Sequence, residues 1–462
     1  MKRILPLTLA VIMTIGVFSC GNKADEVKNP KPMNQSESAA ETDGKTVITI
    51  GSPAYNAMEM PLINKFNSSQ DEYIVELKNY AELIEVDYDD EKALNMMRME
   101  IANGTAPDII MCHPEFMADF IRQNTFADLY QLMDSQDGVK RKDFLPNVLE
   151  GFEIDGKIPA VSKTFYIRTA NAKVKNVGDG KENWTPEEAM EVYDSKPEES
   201  YFLNSTGDYI ADFLLKKAGR NCIDLKNYTC DFNNEDFKNT LDYVKSSPKN
   251  VEDVRLDEMT DDEVDAFFRD KESELMYDRA IINEFTIAGI NDTLTNNICT
   301  QFGGEETVMV GYPSYDGNGY ITSCDFMYAI NEDSPNKEAA WKFITYLLGE
   351  DILRDANLHN GGIPVIQSVL EEAAFEFDEN VSGSIRSCHY LPDGSEDFNI
   401  SDETVQKAYD YITGVEFDPY LNYILSNMIT EECRAVLEGD KTAEECADIL
   451  QSRISIYLSE RK

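Results

Sequence analysis

Strands and helices alternate over the first part of the chain that has enough apolar residues to build a core. Residues 46–50 are mostly β-branched and predict a strand, and residues 60–66 place apolar side chains at helical spacing. A second strand at 73–77, a helix at 93–101 and a buried strand at 107–111 follow. This βαβαβ order predicts an α/β fold with a mainly parallel sheet that helices cover on both faces.

Capping sequences mark where later helices begin. Thr185 and Thr442 are each followed three residues later by a glutamate, which is the capping-box pattern, and Ser334 stands before Pro335 at an expected first turn. The last of these helices has an apolar stripe that we expect to pack on the body. The stripe consists of Cys446, Ala447, Leu450, Ile454 and Leu458.

Between these helices, residues 275–277 and 307–310 predict further strands. Residues 312–320 form a loop dense in aromatic residues and glycine, which is a suitable place for a ligand. Residues 375–399 are acidic and irregular, and we interpret them as an insertion or a surface excursion. The body that begins near residue 46 is long enough for two cores.

The amino terminus has the pattern of an export signal. A charged start and an apolar run over residues 4–18 precede Cys20, and the run is shorter than the roughly 20 residues that a membrane-spanning helix needs. Residues 17–20 resemble a lipobox, in which the cysteine is acylated after cleavage, and Phe18 departs from that pattern. We therefore expect residues 1–19 to be a lipoprotein signal peptide; the alternative is an uncleaved anchor.

The segment after Cys20 has the composition of a linker. Residues 23–45 are rich in Asn, Lys, Ser, Glu, Ala and Pro and have almost no large apolar side chain. Such a segment buries too little surface to offset its chain entropy. We therefore predict that residues 20–45 are a disordered tether between the anchor and the folded body.

The chain is strongly acidic, with 42 basic and 86 acidic residues. Loss of Lys2 and Arg3 with the signal leaves 40 basic residues against 86 acidic ones, a formal net charge of −46. Nucleic-acid binding depends on Lys and Arg that meet the phosphates, and the sequence has no basic run longer than the three residues 140–142. We expect no nucleic-acid partner and interpret the acidity as a means of solubility.

The cysteines do not predict a metal site. Eight remain besides Cys20, and none forms a CxxC pair typical of zinc or redox sites. Cys222 and Cys230 are close enough in sequence for a short disulfide loop in an oxidising compartment; the alternative is that all are free thiols. Residues 316–319 lack the further ligands of a calcium loop. We expect neither a metal nor a cofactor.

Short motifs follow one another along nearly the whole mature chain. They lie at residues 99–110, 126–132, 155–160, 171–173, 184–188, 330–344, 362–364 and 439–450. Each is common by itself, but their order resembles that of the family 1 extracellular solute-binding proteins. This family serves ABC importers and includes maltose-binding protein.

The resemblance implies a two-lobed periplasmic-binding-protein type II fold, in which each lobe is a mainly parallel sheet flanked by helices and the ligand cleft lies at the hinge. It also implies that the chain crosses between the lobes near residues 160–166, near residues 319–325 and just after Gly361. The first lobe then contains residues 46–163 and 323–362, and the second contains residues 164–322 and 363–462.

The tryptophans depart from the family pattern. Many members stack sugar rings on one tryptophan after the first strand and on another after the strand that corresponds to residues 275–277. This chain has neither, because Trp184 precedes a helix cap and Trp341 lies on a helix stripe that predicts a core position. A solute other than a sugar therefore stays open.

A sugar site needs flat apolar faces for the rings together with carboxylates, amides and arginines for the hydroxyl groups. Such groups are expected in loops after strands and at the implied crossovers. Arg168 and Arg279 stand out in so acidic a chain, because a buried arginine usually meets a carboxylate of the protein or of an acidic ligand. The candidate ligand-binding residues are Tyr55, Asn56, His113, Glu115, Tyr166, Arg168, Tyr209, Tyr277, Asp278, Arg279, Tyr315, Asp316 and Asp325.

The sequence gives little support for catalysis. It has only 3 histidines and no HExxH, GxSxG or phosphate-binding GxxxxGK[ST] motif. Asp87, Asp89 and Asp90 are paired carboxylates of the kind that serve glycoside hydrolysis, but in so acidic a chain they indicate a solvated turn. We predict that the protein is not an enzyme.

Together these features predict a substrate-binding lipoprotein of an ABC transporter that captures a sugar or oligosaccharide and delivers it to the transmembrane subunits of a permease. We expect a monomer at the extracellular face of the cell membrane, held there by its lipid anchor alone. The alternatives are a polyamine, a peptide or an acidic metabolite as the solute. A surface enzyme with two carboxylates facing each other across a cleft is a further alternative.

Overall fold

The computed structural model divides the chain into two units, Met1–Gly44 and Lys45–Lys462, and the second carries the fold. The predicted signal peptide, Cys20 and nearly all of the tether lie outside the described residues, as do Asp87, Asp89 and most of the acidic stretch 375–399. The structure describes residues 44–53, 59–83, 90–121, 124–178, 181, 183–196, 201–203, 215–225, 227–246, 259–260, 262–264, 266, 274–290, 305–358, 361–375, 387–388, 398–399, 401–420 and 423–460.

The strands, in chain order, are β1 (Thr46–Ser52), β2 (Tyr73–Asn79), β3 (Ile109–Cys112), β4 (Val161–Ser162), β5 (Thr164–Lys173), β6 (Tyr201–Leu203), β7 (Ile223–Asp224), β8 (Thr229–Cys230), β9 (Ala280–Ile287), β10 (Thr307–Met309), β11 (Ile321–Ser323), β12 (Met327–Ile330), β13 (Ile363–Pro364), β14 (Ser387–Cys388) and β15 (Phe398–Asn399). They are short except for β1, β2, β5 and β9, which have 7 to 10 residues.

The helices are named by their residues. They are Glu59–Ser69, Asp90–Ala102, Pro114–Ile121, Leu129–Ser135, Pro146–Phe152, Val174–Val177, Pro186–Asp194, Glu235–Ser246, Lys337–Leu347, Glu350–Leu358, Gln367–Phe375, Asp402–Gly414, Tyr423–Leu437 and Ala443–Ser459. Residues 215–221 are also helical.

The first sheet has the strand order β2-β1-β3-β12-β4. β1 pairs in parallel with β2 and with β3, whereas β12 runs antiparallel to β3 and β4. Ile48 and Ile50 of β1 and every residue of β3 are buried, which is why these runs form strands under helices. The strand and helix order predicted for residues 46–111 is confirmed. His113 directly follows β3 at the carboxyl edge of this sheet.

The second sheet has the order β10-β5-β9-β6, and β11 and β13 also pair with β5. All partners of β5 run antiparallel to it, and the parallel pair is β6 with β9. The expectation of a mainly parallel sheet therefore holds around β1 but needs correction in this sheet. The reason is that β5 is a long central strand, and the strands that pair with both of its edges run antiparallel to it.

Two local predictions were wrong. Residues 274–276 are helical rather than part of a strand, and the next strand begins at Ala280 after a turn in which Asp278 has a φ of 59°. Ser334 does not cap the helix Lys337–Leu347, whose cap position is Asn336. The Ser334 hydroxyl donates instead to Asp108 Oδ1 at 2.6 Å, so a tertiary partner competes with the local one.

The other local predictions are confirmed. β10 occupies the strand predicted at 307–310, and Thr185 and Thr442 both accept the backbone N–H of the glutamate three residues later. The stripe of the helix Ala443–Ser459 is fully buried, as expected. Trp341 is 0% exposed and belongs to the core.

The buried apolar residues form two large clusters. Core one gathers β1, β3, β12 and the helix Lys337–Leu347, and core two gathers the helices Glu235–Ser246, Tyr423–Leu437 and Ala443–Ser459. β5 and β9 take part in both cores. Phe165, Ile167, Phe285 and Ile287 belong to core one, whereas Ala170, Ala172, Ile281 and Ile282 belong to core two.

The chain changes from one sheet to the other at three places. β4 lies in the first sheet and β5 in the second, β11 lies in the second and β12 in the first, and β13 then pairs with β5. After residue 363 the core residues are divided, because Val405 and Phe417 pack in core one and residues from Leu425 onward pack in core two. The lobe boundaries given above stay a prediction.

Asp108 connects three elements of core one. Its Oδ2 accepts from the backbone N–H of Thr49 at 2.8 Å and from the Thr49 hydroxyl at 2.9 Å. Its Oδ1 accepts from the Ser334 hydroxyl at 2.6 Å and from the Asn336 amide at 3.3 Å. The buried carboxylate thus holds β1, the start of β3 and the start of the helix Lys337–Leu347 together.

The cysteines whose side chains the structure describes are free thiols, namely Cys112, Cys222, Cys230, Cys324, Cys433 and Cys446. The Cys222 thiol donates to the carbonyl of Ala218 at 3.3 Å, and Cys230 Sγ lies 3.3 Å from the hydroxyl of Ser455, so this pair forms no disulfide. Among the described residues no group of acidic, histidine or cysteine side chains is arranged to hold a metal ion. Within the same part of the chain, no helix is long and apolar enough to cross a membrane.

Candidate functional site

A cavity of about 460 Å³ opens between segments of core one and core two. Its volume lies within the roughly 300–1,000 Å³ that is typical of small-molecule sites. The residues that line it are His113, Pro114, Lys216, Lys217, Arg220, Asn221, Asp316, Asn318, Tyr320, Ile321, Thr322, Ser323, Cys324, Glu416, Asp418, Pro419 and Ser426.

The lining comes from five stretches of the chain, namely residues 113–114, 216–221, 316–324 and 416–419 together with Ser426. His113 follows β3 and precedes the helix Pro114–Ile121, next to core one. The helical residues 215–221 supply the basic side chains from beside core two, and the loop between β10 and β11 supplies Asp316 and Asn318. A ligand in this cavity therefore touches segments that pack on both cores.

Aromatic rings lie at the cavity and just behind it. The His113 ring lies 4.4 Å from the Phe326 ring with an interplanar angle of 33°. Tyr320 meets Tyr411 edge to face, and the Lys217 ammonium lies 5.8 Å from the centroid of Tyr320. Burial raises the pKa of the Tyr320 hydroxyl, which stays neutral at physiological pH. These rings offer flat apolar faces next to polar groups.

Lys217 and Asp316 form one ion pair in the lining, with Nζ and Oδ2 3.1 Å apart. The same oxygen accepts from the Asn221 amide at 2.7 Å, and Oδ1 accepts from the backbone N–H of Asn318 at 3.0 Å. Burial raises the pKa of the Asp316 carboxyl, but Lys217 and the hydrogen bonds outweigh it and hold the pKa below its ordinary value. Burial lowers the pKa of Lys217, although Asp316 opposes this change.

Arg220 and Asp418 form a second ion pair, with Nη2 and Oδ2 2.5 Å apart. Arg220 Nη1 also donates to the carbonyl of Ile223 at 3.0 Å. The backbone N–H of Asp418 donates to the Thr322 hydroxyl at 3.0 Å, and the backbone N–H of Glu416 donates to the Tyr320 hydroxyl at 2.6 Å. These two hydrogen bonds hold residues 416–418 beside β11, so that Asp418 contacts Arg220 of the helical residues 215–221.

The structure brings some of the candidates from the sequence to this cavity. His113 and Asp316 line it. Tyr166 donates to Asp325 Oδ2 at 2.8 Å beside the lining residue Cys324, and burial raises the pKa of Tyr166. Arg168 lies on β5 opposite Ile321, and its charge partly offsets the rise in the pKa of Glu284 that burial causes.

Other candidates lie elsewhere. Tyr277 is exposed, Asp278 pairs with Lys173 at 3.2 Å and with Lys175 at 2.7 Å, and Arg279 directly precedes β9. Tyr315 donates to Glu187 rather than facing the cavity. None of these is among the described lining residues. Tyr55, Asn56 and Tyr209 lie outside the described residues, as does the side chain of Glu115, whose backbone belongs to the helix Pro114–Ile121.

Sequence reasoning missed the basic side of the cavity. Lys216, Lys217 and Arg220 fall within five consecutive positions of a chain that has 42 basic and 86 acidic residues. This local excess of positive charge was the available signal. Tyr320 and Asp418 gave no such signal, because the chain has 23 tyrosines and many aspartates.

Comparison with protein families gives one match that covers more than half of the chain. Residues 62–382 match the model described as "Bacterial extracellular solute-binding protein". A search of curated proteins found no match.

Solved structures with a similar fold include three from sugar-related proteins. The sugar-binding protein MalE from Xanthomonas citri has a TM-score of 0.58 at 14% identity, with 90% of this chain and 98% of that chain covered. An ABC substrate-binding protein from Listeria monocytogenes in complex with cycloalternan has a TM-score of 0.52 at 13% identity, with 90% and 99% covered.

The third is the cyclic alpha-maltosyl-1,6-maltose binding protein from Arthrobacter globiformis, with a TM-score of 0.52 at 14% identity and 90% and 100% of the two chains covered. At such low identity these likenesses show the fold alone. They confirm the two-lobed α/β class that the sequence predicted.

Proposed function

Because the chain belongs to the bacterial extracellular solute-binding proteins, we propose that it captures a sugar or an oligosaccharide in the cavity between core one and core two. One observation carries this proposal. The cavity combines ring faces with two ion pairs, Lys217–Asp316 and Arg220–Asp418, on segments that pack on different cores.

The chemistry of a sugar matches this lining. A pyranose has apolar CH faces that pack on rings such as Tyr320 and His113, and its hydroxyl groups both donate and accept hydrogen bonds. An ion pair offers a strong donor and a strong acceptor side by side, which suits neighbouring hydroxyl groups. The similar structure from Listeria monocytogenes is a complex with cycloalternan, and the one from Arthrobacter globiformis is a cyclic alpha-maltosyl-1,6-maltose binding protein, which supports the same class.

Capture would close the two lobes on the ligand. We propose a hinge along β5 and β9, because each of these strands has one half in core one and the other half in core two. The hydrogen bond from Tyr166 to Asp325 joins the first predicted crossing to the second one. The candidate residues near these crossings would then guide closure as well as contact the ligand.

The protein would deliver its solute to the transmembrane subunits of an ABC permease and work without chemistry of its own. Residues 17–20 and the composition of residues 23–45 support a lipid anchor on Cys20 and a tether, at the extracellular face of the membrane. We propose that it acts as a monomer.

A glycan-acting enzyme is the less favoured alternative. A general acid in glycoside hydrolysis needs a carboxyl with a raised pKa. The pKa of Asp316 is instead lowered, because Lys217 and its hydrogen bonds outweigh burial, and the carboxylate is engaged with protein donors. This arrangement suits binding better than proton transfer.

A thermal-shift screen of the purified protein against sugars, amino acids, peptides and polyamines tests the proposal. A solute that binds only the folded state raises the melting temperature. At a concentration of about a hundred times Kd, it raises the free energy of unfolding by about 2.7 kcal/mol. We expect a sugar to give the shift. A shift with a polyamine, a peptide or an amino acid and with no sugar contradicts the proposal, and turnover of a glycan contradicts the absence of catalysis.

Two tyrosine variants locate the binding site. Tyr320→Ala removes a ring from the cavity, and we expect it to weaken sugar binding by about fivefold to a hundredfold, since a buried aromatic contact contributes on the order of 1–3 kcal/mol. Tyr277→Ala is the matched control, because Tyr277 is 64% exposed and is not among the described lining residues. Equal affinities of the two variants contradict the assignment of the cavity.

A further inference from the structure

The acceptor atoms of the two ion-paired carboxylates are already engaged by the protein. Asp316 Oδ1 accepts from the backbone N–H of Asn318, and Oδ2 receives both Asn221 and Lys217. Asp418 Oδ2 receives Arg220, and its Oδ1 accepts from the backbone N–H of Tyr420 at 3.3 Å. A carboxylate offers about four acceptor sites, so Asp316 has about one left for a ligand and Asp418 about two.

Donor groups on the facing side are not fully engaged. Arg220 has five N–H groups, and its Nη atoms reach Asp418 and the carbonyl of Ile223. Its Nε is buried and has no acceptor among the described residues. The Lys217 ammonium has three N–H groups, and one carboxylate pairs with it in the described structure. A buried donor without an acceptor is costly, so a ligand acceptor at this position is favoured.

One acceptor atom in the lining has no hydrogen-bond donor among the described residues. This atom is the buried Asn318 Oδ1. A hydroxyl group is the simplest ligand group that would donate to it. Glu416 also lines the cavity, but it is exposed, so water satisfies its carboxylate. A ligand that fits this cavity would therefore have an acceptor near Arg220 and Lys217 and a hydroxyl donor near Asn318.

The charge of the lining points the same way. Lys216, Lys217 and Arg220 stand there against Asp316, Glu416 and Asp418, in a chain whose acidic residues outnumber the basic ones 86 to 42. The lining is therefore balanced in formal charge, whereas the whole chain has a formal net charge of −44. An anion therefore meets less repulsion at this lining than the acidic composition of the whole chain would give.

We propose that the cavity selects an acidic sugar, such as a uronic acid or an oligosaccharide that contains one. The sugar carboxylate accepts from Arg220 Nε and from Lys217, and a sugar hydroxyl donates to Asn318 Oδ1. Charge-assisted hydrogen bonds of this kind are stronger than those between neutral groups, so they decide between an acidic sugar and its neutral counterpart. This inference rests on the proposed function and specifies its substrate class.

Calorimetric titration of the purified protein tests the inference without any variant. The probes are galacturonate and glucuronate with their short oligomers, and the neutral counterparts are galactose and glucose with theirs. We expect each preferred uronate to bind at least about tenfold tighter than its neutral counterpart, because a hydrogen bond to a charged group contributes about that factor or more. Tighter binding of the neutral sugars overturns the inference but leaves the proposed function intact.

Substitutions then locate the carboxylate. Arg220→Gln removes the charge and the Nε donor, and we expect it to weaken uronate binding by about tenfold more than it weakens neutral-sugar binding. Lys217→Gln, which breaks a single ion pair, is the second variant and should act in the same direction. Lys407→Gln is the matched control, because Lys407 is 71% exposed and pairs with Glu403 on the surface.

The outcomes separate the two proposals. Equal losses for uronate and neutral sugar in Arg220→Gln and in Lys217→Gln overturn the role of the carboxylate. Binding of an amino acid or a polyamine, with neither class of sugar bound, overturns the proposed function as well. An unchanged melting temperature of the free variants shows that the measured losses come from the site.

Discussion

Replacement of Asp108 by alanine should destabilise core one more than any surface change. The substitution leaves four donors without their carboxylate, namely the backbone N–H and hydroxyl of Thr49, the Ser334 hydroxyl and the Asn336 amide. Asp108 is 8% exposed, so water replaces the carboxylate poorly. A buried donor left without its acceptor costs about 1–3 kcal/mol, so we expect the loss of the shared carboxylate to lower the free energy of unfolding by about 3–5 kcal/mol in total.

Asp108→Asn should cost less, about 1–3 kcal/mol, because the amide keeps one acceptor oxygen but turns an NH₂ group toward the remaining donors. Asp134→Ala is the matched control. Asp134 is 58% exposed and pairs with Arg141 on the surface, so its loss should cost no more than about 1 kcal/mol.

The two buried tryptophans make the measurement specific for one core. Trp341 lies in core one and Trp184 in core two, so urea unfolding followed by fluorescence in a Trp184→Phe background reports core one. A loss below about 1 kcal/mol for Asp108→Ala, or equal losses for alanine and asparagine, would refute the reasoning.

Two further substitutions test burial and backbone geometry. Burial raises the pKa of Glu284 above its ordinary 4.5, although Tyr312 and Arg168 oppose the rise. The fold favours the protonated carboxyl, and this contribution to stability is fully present below pH 4.5. It is lost as the pH rises through the folded-state pKa. In urea unfolding, Glu284→Gln should accordingly become more stable relative to the parent as the pH rises above 4.5, and a pH-independent difference would contradict this. Gly311 has a φ of 68°, and a Cβ at this position would lie 2.6 Å from Gly319 Cα. Gly311→Ala should therefore lower the free energy of unfolding by about 1–3 kcal/mol and weaken sugar binding. An unchanged melting temperature would contradict the inferred backbone strain.

The elements that the sequence predicted well are those whose determinants are local. β1, β2 and β3 follow from runs of β-branched or apolar residues, and the capping boxes at Thr185 and Thr442 are complete within four residues. Ser334 was misassigned because its partner Asp108 lies 226 positions away. Residues 275–277 were misassigned because so short an apolar run fits a helix as well as a strand.

The residues of the candidate site also differ in whether local sequence could predict them. His113 and Asp316 were predictable from their positions after a strand and in a glycine-rich loop, and both line the cavity. Arg220 was not, because the face that a helix turns to a cavity depends on how it packs. A Cβ on Gly219 would come within 2.7 Å of Ile429, so close packing on the helix Tyr423–Leu437 sets the orientation of residues 215–221.

Hydrogen–deuterium exchange with and without a bound sugar tests most directly whether the ligand lies between the two cores. The proposed function predicts protection in His113 and the helix after it, in residues 215–221 and in residues 316–324, so that segments beside both cores respond together. Tyr277 and its neighbours should not change. Protection confined to one core, or to a surface remote from these segments, would contradict capture in the cavity.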